Sequence, residues 1–447
     1  MYQAPRGTQD VLPEDIPYWT FVESTARRFA ALYGYHEIRT PMFEDTNLFY
    51  HGAGEVTDVV EKEMYSFQDK GGADITLRAE GTAPIMRAYL EHGLHARPQP
   101  IRLFSLISVF RYDRPQAGRL REHHQFDCEA LGEDDPALDV EVITLLLRFY
   151  EALGLKDLTL QLNSIGCPIC RPKYIEALRA YYAAHLTDPQ TGEAALCADC
   201  RRRLDRNPLR LLDCKVPTCQ PIAAGAPSFV DYLCPECAEH FAYVKTALTA
   251  EGIAPVLNNR LVRGFDYYTR TVFEVWPPRI GAQASIGGGG RYDGLAEAIG
   301  GRHTPGVGFG TGIERLILNL RDQGVTPEDH TRPDVYVAHL SDAGRDAAAA
   351  FARALRRDNV RVVVGVGTRS LRARLRNADT TGARWAALFG DDEVRDGTVA
   401  LRDLNAAKPE TLSVADALDR LTRYASEERR RAFEALSEPA RAEQPHD

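Results

Sequence analysis

The chain has 447 residues, which is enough for about two or three domains that each bury a hydrophobic core. Hydrophobic residues make up 44% and charged residues 26%, no basic-then-apolar leader opens the chain, and apolar runs stay below about 18 residues, so we expect no membrane segment and a cytoplasmic location. The net charge of -9 excludes a protein that coats nucleic acid non-specifically, although local basic patches can still bind it.

The chain opens with a predicted helix and strand. Apolar residues at helical spacing predict a helix over Asp15–Tyr33, which ends at Gly34. Tyr35–Thr40 is then predicted to be a strand that stops before Pro41. From the pattern alone this is an ordinary packed helix–strand pair.

A tight turn is predicted within LRAEGTAP, Leu77–Pro84, where Glu80, Gly81 and Thr82 follow one another. A carboxylate and a hydroxyl in one turn suit the three hydrogen-bond donors of an ammonium group. The alternative is that both are structural polar groups.

Phe110–Gly132 is predicted to be a hairpin with one polar face. A strand ends at Arg111, a polar loop follows, and the return strand covers His123–Leu131. Alternation places three polar residues on one face of the return strand, namely Gln125, Asp127 and Glu129. Polar groups in a row beside an arginine are typical of a pocket for a small charged ligand, but a hairpin with a merely hydrated face shows the same alternation. The loop is predicted to be a mobile basic finger, with Arg114, Arg119 and Arg121 between turn residues.

The segment between Leu160 and Pro255 contains eight of the nine cysteines. They form four closely spaced pairs, which are Cys167 with Cys170, Cys197 with Cys200, Cys214 with Cys219, and Cys234 with Cys237. Such spacing is typical of zinc knuckles, and four pairs complete one or two tetrahedral sites of structural zinc. Reduced cysteines that bind no metal are the alternative, since disulfides are not expected in the cytoplasm. Within the segment, an arginine strip is either a phosphate contact or a solvated helix face, and it consists of Arg201–Arg203, Arg206 and Arg210.

Three segments rich in glycine and arginine follow, namely LVRGFDYYTR (Leu261–Arg270), GGGGRYDGL (Gly287–Leu295) and GVGFGTGIERL (Gly306–Leu316). Arg111, Arg263 and Arg315 are the candidates for phosphate binding, because a guanidinium supplies paired donors and a positive charge. Each arginine alone is equally compatible with a surface salt bridge, and glycine runs also occur in tight turns. The sequence has no GK[ST] phosphate loop and no dinucleotide fingerprint after a strand.

Beyond the polar linker Arg321–Pro333, the sequence predicts a compact α/β domain over 333–425. Its short apolar strands are Val335–Leu340, Val360–Val366 and Trp385–Phe389, with helical segments between them. Residues 426–447 form a charged tail, for which either a marginal helix or disorder is expected.

Six segments resemble, in the same order, the motifs of class II aminoacyl-tRNA synthetases in the form found in the histidyl-tRNA synthetase family. They are APRGTQD (Ala4–Asp10), LRAEGTAP, the Phe110–Gly132 hairpin, LVRGFDYYTR, GGGGRYDGL and GVGFGTGIERL. The resemblance covers nearly the whole chain.

The fold that this resemblance implies is α+β. An antiparallel catalytic sheet flanked by helices is implied over 1–325, and a small insertion domain at 165–255 within it packs on the tRNA acceptor stem. The C-terminal α/β domain at 333–425 is implied to bind the anticodon, with Ser370–Arg384 as a basic helix near the anticodon loop.

The resemblance also implies residue roles. Arg263 and Arg111 are implied to be catalytic, because they hold the α-phosphate while the carboxylate of histidine attacks it. The implied histidine-binding residues are Glu80, Gly81, Thr82, Gln125, Glu129, Tyr267 and Tyr268. The implied ATP-binding residues are Arg111, Asp113, Arg119, Arg121, His123 and Arg315. Gln116 is implied to face the first base pairs of the acceptor stem.

Two positions depart from the family pattern. Asp113 stands where glutamate is more common, so its reach toward the adenine amino group is shorter. His123 stands where phenylalanine usually stacks on adenine, and imidazole is expected to stack less well. The pair that reads the imidazole of the substrate is intact, since Glu129 and Tyr268 can match one donor and one acceptor nitrogen.

The implied reaction joins L-histidine and ATP into histidyl-adenylate and pyrophosphate, with Mg2+ on the phosphates. The histidyl group then passes to the 3′ end of tRNA-His. A homodimer is implied, because the segment IRTPMFE resembles the motif that forms the dimer interface in this class.

Two other functions are compatible with parts of the sequence. A non-catalytic regulatory paralogue serves the first step of histidine biosynthesis, but it lacks the anticodon domain and has eroded motifs. A zinc-dependent nucleic-acid-binding scaffold would explain the cysteines, yet it leaves the three arginines and the Tyr267–Tyr268 pair without a purpose.

Overall fold

The computed structural model describes residues 2–54, 57, 59–116, 118–187, 194–278, 285–329, 332–367, 370–406 and 409–437. The chain divides into two compact units, Met1–Thr326 and Pro327–Asp447. Within the described part of the chain, every helix is too short or too polar to span a bilayer.

The first unit is built on two sheets. Its strands are β1 (His36–Glu37), β2 (Phe43–Asp45), β3 (Tyr65–Gln68), β4 (Asp74–Leu77), β5 (Ile101–Phe110), β6 (Glu122–Leu131), β7 (Thr159–Ser164), β8 (Val256–Leu257), β9 (Thr269–Trp276), β10 (Gly287–Arg291) and β11 (Gly306–Gly312). The large sheet has eight strands in the order β1-β5-β6-β11-β10-β9-β7-β8, and the small sheet has the order β2-β4-β3.

The centre of the large sheet is antiparallel from β5 to β7, which confirms the predicted antiparallel sheet. The two edge strands differ, because β1 and β8 each pair in parallel with their neighbours through two residues. The predicted strand Tyr35–Thr40 is therefore shorter than expected, since only His36 and Glu37 join the ladder.

Helices cover this sheet and connect its strands. They are α1 (Ile16–Leu32), α2 (Thr46–Ala53), α3 (Thr82–Glu91), α4 (Pro136–Ala152), α5 (Arg171–Ala184), α6 (Ala198–Arg206), α7 (Gln220–Ala224), α8 (Pro235–Ala250), α9 (Leu295–Ala298) and α10 (Ile313–Asp322). Helix α1 matches its predicted bounds within one residue at each end. The core beneath the helices is aromatic, and Phe126 makes edge-on contacts with Phe149 and Phe309 at centroid distances of 5.1 and 5.4 Å.

Both glycine runs form central strands rather than tight turns. Gly287–Gly290 lies on β10 and pairs with β11, which carries the second run. A Cβ atom built on Gly289 would lie 2.7 Å from the Cα of Phe309, so a larger residue would push the two strands apart. These glycines therefore allow a close approach of neighbouring backbones.

A fully buried charge network joins three elements of the first unit. Arg291 at the end of β10 donates to Asp139 of α4 at 2.5 and 3.0 Å, and its Nη1 lies 3.2 Å from Asp293. The Nε2 atom of His240 on α8 lies 3.2 Å from the same Asp139 carboxylate. Burial alone would raise the pKa of Asp139, but Arg291 and His240 outweigh it and lower the pKa to about 2.

The second unit has one five-stranded sheet in the order β13-β12-β14-β15-β16. Its elements are β12 (Val335–His339), α11 (Asp342–Arg357), β13 (Val362–Gly365), α12 (Leu371–Thr380), β14 (Trp385–Phe389), α13 (Asp391–Asp396), β15 (Thr398–Asp403), β16 (Glu410–Ser413) and α14 (Val414–Ser437). The three predicted strands are present and parallel, whereas β15 and β16 are antiparallel additions. Helix α14 continues into the predicted tail as far as Ser437, and 438–447 lie outside the described residues.

Candidate active site

The polar face of β6 lies over the glycines of β11. The register places Glu129 opposite Gly308, Asp127 opposite Gly310, and Gln125 opposite Gly312. Because glycine has no side chain, the three polar side chains find space above the neighbouring strand. This pairing makes a polar floor in the middle of the large sheet.

A cavity of about 210 Å³ opens above this floor. The predicted histidine-binding residues in its lining are Glu80, Gly81, Thr82, Gln125, Tyr267 and Tyr268, and Asp127 joins them. We name this space the substrate cavity. The rings of Tyr267 and Tyr268 lie 4.7 Å apart, so together they form one aromatic wall.

Glu80 holds the start of helix α3 in place. Its two carboxylate oxygens accept from the backbone N–H groups of Thr82 and Ala83, both at 2.7 Å. These are donors that a helix N-terminus leaves without intrahelical partners. Burial raises the pKa of Glu80, and the two backbone N–H bonds oppose that rise.

Glu129 is buried next to the substrate cavity but does not line it. It accepts from the hydroxyl of Thr82 at 2.7 Å and from the phenol of Tyr292 through a short hydrogen bond. Burial raises the pKa of Glu129 well above its ordinary value, against the effect of these hydrogen bonds. The carboxyl group is thus held behind the lining of the substrate cavity by residues from α3 and from the GGGGRYDGL segment.

A second cavity, of about 300 Å³, lies next to the first and is lined by arginines. We name it the arginine cavity. Arg111 is fixed by a hydrogen bond from Nε to the carbonyl of Ala79 at 2.7 Å. Arg315 donates to the carbonyls of Gly118 and Ser285 at 2.9 and 2.6 Å. Burial, then the charges of Arg119 and Arg111, lowers the pKa of Arg315, so positive charge is concentrated here.

The two cavities share one wall. Arg111, Gln125 and Arg263 line both of them. Arg263 is oriented by Glu274, whose carboxylate accepts from its Nη1 at 2.6 Å. Burial disfavours the charge of Arg263, but Tyr268 and Glu274 outweigh burial and raise its pKa. A ligand atom at this wall meets two guanidinium groups at once.

His123 lies in the arginine cavity as a neutral side chain. Burial, followed by the charges of Arg111 and Arg315, lowers its pKa to about 3. An uncharged imidazole in this position can stack on a base without adding charge to the site.

The remaining predicted site residues of the Phe110–Gly132 hairpin, which resembles motif 2 of the class II family, differ in placement. Asp113 and Arg119 line the arginine cavity and form an ion pair with each other. Arg121 lies beside that cavity, where its guanidinium stacks 3.9 Å from the ring centroid of Tyr112. Gln116 exchanges backbone hydrogen bonds with Arg119 and lines a separate cleft next to helix α10.

Sequence reasoning left three site residues without a role. Asp127 stands in the predicted polar row, and Tyr292 stands in GGGGRYDGL, so both could have been singled out from their motifs. Glu274 carries no motif signal, because its link to Arg263 depends on how β9 is paired in the sheet.

The cysteine pairs come together in two separate clusters. One contains Cys167, Cys170, Cys234 and Cys237, and the other contains Cys197, Cys200, Cys214 and Cys219. In each cluster the four Sγ atoms lie within 4.8 Å of one another. The first cluster joins the N-termini of α5 and α8, and the second joins those of α6 and α7.

The antiparallel sheet and its two adjoining cavities, one suited to an amino acid and one to phosphates, define a class II aminoacyl-tRNA synthetase. Comparison with known families shows which family of this class the chain resembles. The family profile described as histidyl-tRNA synthetase matches 7–168 and 233–316, so it passes over most of the cysteine-rich segment. The profile of an anticodon binding domain matches 334–424.

Proteins of similar sequence align with almost the whole chain. A histidine–tRNA ligase of Dehalococcoides mccartyi is 53% identical, covering 92% of this chain and 97% of its own. A histidine–tRNA ligase of Moorella thermoacetica is 49% identical over 93% and 96% of the two chains. The crystal structure of apo S. aureus histidyl-tRNA synthetase is 33% identical, has a TM-score of 0.79 and covers 94% of this chain and 100% of that one. The chain belongs to the histidyl-tRNA synthetase family.

Proposed function

We propose that the chain is a histidine–tRNA ligase, which activates L-histidine with ATP and then transfers it to the 3′ end of tRNA-His. The observation that carries this proposal is the wall shared by the substrate cavity and the arginine cavity. Activation requires a carboxylate and an α-phosphate to meet at one point, and Arg111, Gln125 and Arg263 stand at that point.

The substrate cavity orients histidine. Glu129 and Tyr268 flank the imidazole and pair with its donor and acceptor nitrogens. Glu80, Gly81, Thr82 and Gln125 surround the amino group. An amino acid without two ring nitrogens would leave buried polar groups unpaired, which is a strong source of selectivity.

The arginine cavity binds ATP. His123 stacks on the adenine, Asp113 lies near its amino group, and Arg119, Arg121 and Arg315 neutralise the β- and γ-phosphates. The carboxylate oxygen of histidine attacks the α-phosphorus, the bond to the bridging oxygen breaks, and pyrophosphate leaves. Arg111 and Arg263 hold the non-bridging α-phosphate oxygens, so the charge that develops there is stabilised by fixed donors.

Mg2+ accompanies ATP in this proposal. Glu274 and Glu314 line the arginine cavity and supply the carboxylate oxygens that this cation prefers. When bound, the ion neutralises phosphate charge.

In the second step the histidyl group passes from the adenylate to tRNA-His. A hydroxyl of the terminal ribose of tRNA-His attacks the carbonyl carbon, and AMP leaves. Gln116, at the tip of the motif 2 loop, contacts the first base pairs of the acceptor stem. In the second unit, α12 presents Arg372 and Arg376 to solvent, as expected of a basic helix near the anticodon loop.

A homodimer is part of the proposal. The end of α1 and the segment that follows it expose large apolar side chains, with 70% of Leu32, 56% of Met42 and 54% of Phe43 accessible in the isolated chain. Such exposure is typical of a surface that a partner covers. The homodimer would work in the cytoplasm, where a reducing environment suits nine unpaired cysteines.

Two structural zinc ions also belong to the proposal. Zinc–sulfur bonds of about 2.3 Å in a tetrahedron place the sulfur atoms about 3.8 Å apart. The Sγ atoms of Cys167 and Cys170 lie 3.7 Å apart, and those of Cys197 and Cys214 lie 3.9 Å apart. Both clusters thus fit four-thiolate sites that fasten the insertion.

A charging assay tests the proposal. With ATP, Mg2+ and transcribed tRNA-His, the protein should attach labelled histidine and reject the other amino acids. Failure to charge tRNA-His while the protein is folded and binds ATP would contradict it.

A further inference from the structure

One carboxylate of the substrate cavity has no hydrogen-bond partner in the part of the chain that the structure describes. Asp127 stands in the middle of β6 and is 3% exposed. Among the residues that the structure describes, none forms a hydrogen bond with either of its carboxylate oxygens. An unpaired buried polar group of this kind costs free energy, and a bound ligand is one of the reasons that a protein tolerates it.

Glycines keep the space around Asp127 open. Gly81 at the start of α3 flanks one carboxylate oxygen. A Cβ atom built on Gly310 of β11 would lie 2.7 Å from the other, Oδ1. The carboxylate itself lines the substrate cavity beside Thr82 and Gln125. Asp127 therefore points to a ligand position rather than into packed core.

The two neighbouring carboxylates, Glu80 in the cavity lining and Glu129 behind it, have structural partners. Glu80 binds two N–H groups at the start of α3. Glu129 binds the hydroxyl groups of Thr82 and Tyr292. Asp127 is the carboxylate among these three whose acceptor capacity is unused.

We propose that Asp127 binds the α-ammonium group of the substrate, an inference that rests on the proposed function. Residues two apart on a strand are separated by about 6.6 Å. Asp127 therefore lies between Gln125, at the shared wall, and Glu129, which pairs with the imidazole in the proposed function. This position is within reach of the amino group that Thr82 and Gln125 also surround. The ammonium supplies the donors that both oxygens of Asp127 lack.

This contact predicts a proton change on binding. Burial, followed by the charge of Glu80, raises the pKa of Asp127 to about 8, against the effects of Arg78 and Arg111. The group is therefore largely protonated at neutral pH before substrate arrives. An ammonium within contact distance favours the ionised form, so histidine binding should release this proton. The other titratable groups around it are Glu129, Arg263, Tyr267 and Tyr268.

Calorimetry with two ligands tests the contact. Histidine and 3-(imidazol-4-yl)propionate, which lacks the amino group, are titrated into the wild-type chain, Asp127→Asn and the exposed control Asp134→Asn. We expect Asp127→Asn to weaken histidine binding about 10- to 100-fold, because a hydrogen-bonded charge is lost. The affinity for the des-amino ligand should change less than about threefold, and the control should behave as wild type.

Titrations in two buffers of different ionisation enthalpy measure the number of protons released on binding. They give an independent test that also uses the wild-type chain. At pH 7.5, where the free imidazole is mostly neutral, wild-type binding should release a proton, and Asp127→Asn should not. Equal loss of affinity for both ligands, unchanged histidine affinity, or no proton release by wild type would overturn the inference. No binding of histidine by the wild type would instead contradict the proposed function.

Discussion

His123 shows how surroundings set the charge of a single side chain. Buried beside Arg111 and Arg315, its imidazole has a pKa of about 3 and is neutral at any pH at which the protein would work. We expect His123→Phe to lower the KM for ATP about two- to fivefold, since a larger aromatic ring stacks better on adenine. The KM for histidine should stay the same in exchange kinetics.

The pH dependence of the KM for ATP distinguishes a neutral His123 from a charged one. Because the group is neutral, the wild-type KM for ATP should show no titration of His123 between about pH 5.5 and pH 8. A KM that rises in His123→Phe, or a titration near pH 6.5 that the variant abolishes, would show that the imidazole acts as a charged phosphate contact instead.

At the residue scale, alternation was enough to place Gln125, Asp127 and Glu129 on one face. Family motifs located the arginines, and the structure places Arg111, Arg263 and Arg315 around adjoining cavities. The partners of each group could not be predicted, because they come from segments far apart in the chain. The bond between Glu129 and Tyr292 spans 163 positions and leaves no local pattern.

At the scale of helices and strands, a buried network of charged side chains stabilises the contacts of α4, α8 and β10. Asp139→Asn should destabilise the first unit by about 3 kcal/mol, because Arg291 would lose the fully buried carboxylate of its two acidic partners. The folded-state pKa of Asp139, about 2, lies below the ordinary carboxyl value. Its contribution to stability is therefore fully present above about pH 4 and is lost as the pH falls toward 2.

Urea unfolding at several pH values measures this effect. The matched control is Glu151→Gln on the same helix, whose exposed pair with Arg148 should contribute less than about 0.5 kcal/mol. The difference in unfolding free energy between wild type and Asp139→Asn should shrink between about pH 4 and pH 2. If Asp139→Asn were as stable as the control Glu151→Gln, this account would be contradicted.

The two cysteine clusters give a second prediction for elements. Elemental analysis should find about two zinc ions per chain, and Cys234→Ser and Cys200→Ser should each lose one. Chelation should lower the thermal midpoint, because the clusters join the N-termini of four helices. Cys128→Ser is the control, since Cys128 lies on β6 outside both clusters. If the two variants did not each lose one zinc ion, the assignment of the eight cysteines to two sites of four would be ruled out.

Patterns predicted long elements better than short ones. Helix α1 and the hairpin strands β5 and β6 follow from periodicity, and so do the three parallel strands of the second unit. Strands β15 and β16 were missed, because each buries few side chains. Strand β10 is almost all glycine and has little strand propensity, whereas in β11 the glycines alternate with Val307, Phe309 and Thr311. Close packing between the neighbouring backbones determines β10.

At the scale of the whole molecule, the chain combines a catalytic unit with a second α/β unit that matches an anticodon binding domain. The regulatory paralogue named in the sequence analysis lacks such a domain. A structure titled ATP phosphoribosyltransferase regulatory subunit/histidyl-tRNA synthetase from Bacillus halodurans has a TM-score of 0.62 and 21% identity, over 87% of this chain and 98% of that one, which shows a shared fold. Fold alone therefore does not separate enzyme from regulator, and activity must.

The most direct measurement is ATP–pyrophosphate exchange with each common amino acid in turn, using wild type, Arg263→Ala and Arg260→Ala. Arg260 is an exposed arginine three positions before Arg263, so it controls for loss of charge in the same loop. We expect exchange with histidine alone, a loss of about 100-fold or more in Arg263→Ala, and a change of less than about twofold in Arg260→Ala. A folded protein that binds ATP but supports no exchange, or an Arg263→Ala variant as active as wild type, would contradict the assignment of activation to the shared wall.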